Sequence, residues 1–75
     1  MAECFVSFAS VKDVHDFVSI ATRQFFPLHV ENGQMHTDGK SIMSLFCMGL
    51  NRPIRVLYPV EEQEFLQALR PYLVA

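Results

Sequence analysis

Gly39-Lys40-Ser41-Ile42-Met43-Ser44-Leu45-Phe46-Cys47-Met48-Gly49-Leu50 reads as one short helix with both of its ends marked. Ile42, Leu45, Phe46 and Gly49 recur at helical spacing behind Ser41, so the pattern predicts a helix whose free N–H groups the Ser41 hydroxyl caps. Gly49 suits the left-handed residue that closes such a helix. The helix dipole puts positive potential at Ser41, and a phosphate placed there would be stabilised by it.

Working outward toward the C-terminus, Asn51-Arg52-Pro53 ends this segment, because proline disfavours helical geometry in the residue before it. Ile54-Arg55-Val56-Leu57-Tyr58 then alternates as a strand. Pro59 opens the last segment. Glu61, Glu62 and Glu64 suit a helix N-terminus, and Phe65, Leu66, Leu69 and Tyr72 supply its apolar face. Pro71 is expected to fray or kink its end.

Toward the N-terminus, Asn32-Gly33 is a strong hairpin signal, joining a strand at Gln34–Thr37 to one in which Phe26, Leu28 and Val30 alternate with Pro27 and His29. Ser10-Val11-Lys12-Asp13 looks like a capping box, with Asp13 reaching back to the Ser10 N–H. The helix it starts runs to about Gln24, with Val14, Phe17, Val18 and Ala21 on one face. Cys4–Phe8 fits a first strand. The order βαββαβα implies an α+β two-layer sandwich: a four-stranded antiparallel sheet covered on one face by three helices, the other face meeting water. A ferredoxin-like arrangement competes with it.

Seventy-five residues allow one domain, 1–75, with a small core; 51% hydrophobic and 19% charged residues are those of a folded domain. A net charge of −2 offers no footprint for nucleic acid, which needs clustered cations. Met1-Ala2-Glu3-Cys4 has no basic segment ahead of a long apolar one, and no run approaches a membrane span, so a cytoplasmic protein is expected. Cys4 and Cys47 lack the spacing of a zinc or redox pair and are expected to be buried thiols.

The run Lys40-Ser41-Ile42-Met43, then Leu45 and Met48-Gly49-Leu50, resembles the regulatory-serine motif of HPr, the histidine-containing phosphocarrier of the bacterial phosphoenolpyruvate-dependent sugar phosphotransferase system. The element order and the Phe17-Val18 to Ala21 helix face agree. The resemblance implies an open-faced β-sandwich and two phosphorylation positions. One is a histidine at the start of the first helix, charged by Enzyme I; the other is a serine at the start of the second, charged by HPr kinase in Firmicutes. Ser41 matches the second. Counting back from Ser41 without gaps puts Ser10 in place of the histidine, Lys12 in place of an arginine and Asp13 in place of a proline. A phosphohistidine needs an imidazole at that helix end beside a guanidinium, whereas Asp13 fills the positive end with a carboxylate that repels phosphate.

The sequence therefore reads as a member that has lost the phosphocarrier histidine: a regulatory or interaction module and not an enzyme, with Ser41 as candidate phosphoserine. The resemblance implies that Ile42, Met43 and Phe46, with Lys40, form a docking surface for HPr kinase, an Enzyme I-like protein or a transcription regulator. Without the resemblance, Ser41 is a plain N-cap and the apolar side chains are core. His15 is the alternative phospho-acceptor, but it lies more than a turn into its helix. A third reading keeps the fold for an unrelated binding role. No cofactor is expected. If Asn32-Gly33 is the two-residue turn, His29 pairs directly with His36 on the water-facing side of the sheet; two ligands do not make a zinc site, so no metal is expected.

Overall fold

In the computed structural model, which describes residues 2–59 and 62–74, the chain runs β1 (Ala2–Val6), α1 (Val11–Thr22), β2 (His29–Asn32), β3 (Met35–Asp38), α2 (Ile42–Cys47), β4 (Ile54–Tyr58) and α3 (Gln63–Ala68). A 3-10 turn at Arg70–Tyr72 follows. The sheet order is β1-β4-β2-β3 with every pairing antiparallel, which decides for the open-faced sandwich over the ferredoxin-like arrangement.

Alternation along the strands divides the sheet into two faces. Val6, Val30, Ile54, Val56 and Tyr58 are buried, whereas Glu3, Phe5, His36 and Arg55 lie exposed on the other side. Helix α1 covers the buried side with Val14, Phe17, Ile20 and Ala21, α2 with Leu45 and Met48, and α3 with Phe65 and Leu69. Val18, expected on the α1 face, is half-buried, and Ile20 takes the deeper place. Aromatic rings join the layers: Phe8 meets Phe17 at 5.2 Å between centroids, and Phe65 stands edge-on to Phe26 at 5.4 Å.

Several expected boundaries move. The first strand is Ala2–Val6 and not Cys4–Phe8, because Phe8 leaves the ladder to fill the core. Residues 26–28 alternate correctly, with Phe26 and Leu28 buried and Pro27 exposed, yet the strand begins only at His29. Pro27 has no N–H to give a ladder. The C-terminal tail lies along β1: Ser7 N–H donates to the Tyr72 carbonyl at 2.8 Å and Val74 N–H to the Phe5 carbonyl at 3.0 Å. Pro71 sits in the first residues of the 3-10 turn, where a missing N–H costs little. Of the three glutamates expected at the last helix start, Glu61 lies outside the described residues, Glu62 is the N-cap and Glu64 is in the first turn.

The hairpin departs most from expectation. Asn32 pairs with Met35, so the turn is Gly33-Gln34 and not Asn32-Gly33. Of the two turn residues only Gly33 has positive φ, +61°, as a turn with glycine in its first central position requires. Asn32 is held in the strand by its side chain, whose Nδ2 donates to the Met48 carbonyl at 2.9 Å and so closes the C-terminal end of α2.

Candidate functional site

The start of α1 is filled by its own side chains. Ser10 is the N-cap, in extended backbone (φ −151°, ψ 166°), and its Oγ accepts from the Asp13 N–H at 3.3 Å. Asp13 Oδ2 in turn accepts from the N–H of Ala9 at 3.0 Å, one residue before the expected partner Ser10. Lys12 donates to Asp16 at 2.9 Å, and that hydrogen bond raises the lysine pKa by holding its proton. The cation is thus tied one turn along the helix. His15 is exposed in the next turn, beyond the free N–H groups of the helix end.

The start of α2 differs from the sequence reading. Ser41 is the N-cap residue by backbone position, but its hydroxyl makes no capping bond; it donates to the Ser44 Oγ at 3.1 Å. A second hydroxyl three residues on takes the place of the backbone N–H. Lys40 was expected to face a partner beside Ser41. Its ammonium instead reaches the Gln24 carbonyl after α1, at 2.9 Å, where the helix leaves carbonyls unpaired. Asp38 Oδ1 shapes the turn into α2 by accepting from the Lys40 N–H at 2.8 Å.

Helix α2 is rolled relative to the expected stripe. Leu45 and Met48 are buried, Ile42 is half-buried, and Met43 and Phe46 are 74% and 40% exposed; Leu50, after the helix, is exposed as well. The helix has six residues, too short for periodicity to fix its rotation. Gly49, at φ +87°, supplies the expected left-handed closure.

The sheet's open face gathers a third cluster. In the observed register Glu31 is opposite His36, and His29 is opposite Asp38, so the two imidazoles meet on the diagonal. Their rings stack at 5.5 Å, and Glu31, which sequence reasoning left out, stands between them. The signal was present: His29 and Glu31 are two apart in a strand and share a face.

No family model matches this sequence, and no curated protein matches it. Among solved structures the chain is similar to HPr-C-His from Thermoanaerobacter tengcongensis, with a TM-score of 0.75 and 20% identity over 95% of this chain and 89% of that one. It is similar also to the phosphocarrier protein HPr from Bacillus anthracis str. Ames, with a TM-score of 0.73 and 21% identity over 97% and 96% of the two chains. The chain has the HPr fold. Within the HPr fold of this chain, Ser10, Lys12 and Asp13 sit together at one helix start, and Ser41, Ile42 and Met43 at another, with Phe46 about a turn further along the same helix.

The two thiols, both expected to be buried, part company. Cys4 is half-buried in β1, and burial, with the neighbouring Glu3 charge adding to it, pushes its pKa up to about 11. Cys47 is exposed on α2. Iodoacetamide at pH 8 is expected to alkylate Cys47 at least ~10-fold faster than Cys4 in the folded chain, because the thiolate is the nucleophile. Peptide mass spectrometry over a time course measures the ratio; equal rates would show that Cys4 is not shielded as described.

Proposed function

We propose that this chain is a regulatory or interaction module related to the phosphoenolpyruvate-dependent sugar phosphotransferase system, one that does not carry a phosphohistidine. One observation carries the reading: the first helix start is closed by Ser10 and Asp13, with Lys12 bound to Asp16 and no imidazole in the first turn. A phosphoryl group arriving there meets a carboxylate where transfer needs donors and positive charge.

Ser41 is the proposed regulatory phosphoserine. The residue is half-buried at a helix start, and its hydroxyl is bonded to Ser44 Oγ. Met43 and Phe46, with half-buried Ile42, form the proposed docking surface for HPr kinase, an Enzyme I-like protein or a transcription regulator. Since the Lys40 ammonium is engaged with Gln24, a phosphate on Ser41 would present its added negative charge to the partner largely unneutralised. The setting proposed is the cytoplasm, and the role is not that of an enzyme.

The test has two arms. Incubation with Enzyme I and phosphoenolpyruvate is expected to leave no acid-labile, alkali-stable phosphate; such a phosphate, on His15 or elsewhere, would overturn the reading. Incubation with HPr kinase and ATP is expected to label the chain, and Ser41→Ala is expected to abolish the label. A chain labelled in neither arm would have kept the fold for an unrelated binding task.

A further inference from the structure

His29, Glu31 and His36 lie on the face of the sheet that no helix covers among the described residues, and nothing in the proposed phosphorylation chemistry uses them. Their nearest polar atoms form a nearly equilateral triangle. His29 Nε2 is 3.4 Å from His36 Nδ1, His29 Nε2 is 3.4 Å from Glu31 Oε2, and His36 Nδ1 is 3.3 Å from the same oxygen. A good charge-assisted hydrogen bond would draw such atoms to about 2.7–2.9 Å. Zinc bound tetrahedrally at about 2.0–2.1 Å from nitrogen and oxygen sets its ligand atoms roughly 3.3–3.4 Å apart along each edge. The triangle has the dimensions of one face of that tetrahedron.

We propose that His29 Nε2, His36 Nδ1 and Glu31 Oε2 bind one zinc ion, with water in the fourth position. The two imidazoles and one carboxylate are a donor set suited to zinc and not to magnesium or calcium, which take oxygen. All three side chains are accessible, at 44%, 55% and 23% exposure for His29, His36 and Glu31, so an ion can enter and retain a water. Glu31 has a cation behind it: its other oxygen, Oε1, makes a long 3.4 Å contact with Arg55, and Arg55 is itself held more closely by Glu3 at 2.6 Å. Arg55 is thus an outer partner on the far oxygen, and Oε2 is left for the metal. Two carboxylates and one guanidinium leave that network net negative, and Asp38 opposite His29 adds a further negative charge on the same face. Because β3 is the edge strand, the ion would join the edge of the sheet to its interior strand β2.

Calorimetric titration of the full chain with zinc chloride tests the site. We expect one zinc per chain, a Kd in the micromolar range, and perturbation of the His29 and His36 ring signals by NMR while His15 stays unmoved. His29→Ala and His36→Ala should each weaken binding at least ~10-fold, and Glu31→Gln by about 10-fold. His15→Ala and Cys47→Ser should leave it unchanged, and circular dichroism should show each variant folded. Binding no tighter than about 1 mM, or binding equally tight in the His29 or His36 variant, or lost with His15 or Cys47, would overturn the proposal.

Discussion

Replacing Phe17 with alanine is expected to leave the chain without a cooperative native state at 25 °C. Phe17 has no exposed surface, stands on α1 against the ring of Phe8 at 5.2 Å, and belongs to the single core shared by all layers. Truncating a buried phenylalanine costs roughly 3–5 kcal/mol, from lost apolar burial and from the cavity left behind. A core of this size supplies roughly 3–5 kcal/mol in total, so the two quantities are comparable and the substitution consumes the margin. Thermal unfolding followed by circular dichroism should show a broad, shallow change in place of a sigmoidal transition. Phe17→Leu, which keeps most of the volume, should lose under ~1.5 kcal/mol and melt cooperatively. A sharp transition in the alanine variant within a few degrees of the parent would mean that α1 is not held by this ring.

Gly39→Ala should give the second largest loss, about 1–3 kcal/mol, through crowding and not through a cavity. A Cβ on Gly39 would meet the Cβ of Leu28 at 2.9 Å and the Cγ1 of Val30 at 3.3 Å, both of them buried side chains. The backbone has little freedom to retreat, since the Gly39 N–H donates to the Leu28 carbonyl at 2.9 Å and so fixes the two strands' approach. Relief would require moving Leu28 in the core or breaking that bond. Urea unfolding should show a lower midpoint with an unchanged slope, as expected when stability falls without a change in the surface exposed. A midpoint equal to the parent's would show that the loop after β3 shifts freely.

Much of the fold was legible because it rests on local signals. The Ser10-to-Asp13 cap, the buried spacing of Val14, Phe17 and Ala21, the β4 alternation and the left-handed Gly49 each depend on residues within a turn or two of one another. The filled end of α1 was readable for the same reason. The second helix was not, because six residues span fewer than two turns and either Phe46 or Met48 could have faced inward on spacing alone. Packing chose Met48, whose carbonyl Asn32 then secures.

What the amino-acid order determined by itself is the succession βαββαβα, the apolar face of α1 and the absence of an imidazole from the first turn of that helix, all written in short-range patterns. Only the tertiary structure decided the partners of long side chains and of strands. Lys40 turned to a carbonyl after α1, and β2 chose a register two residues from the one its Asn-Gly pair advertised. A shift of two leaves every side chain on its expected face, so hydrophobic alternation cannot distinguish the registers. The choice fell to Asn32's bond to α2 and to β2's pairing with β4, contacts made across the fold, and it is this register that seats Glu31 between two histidines.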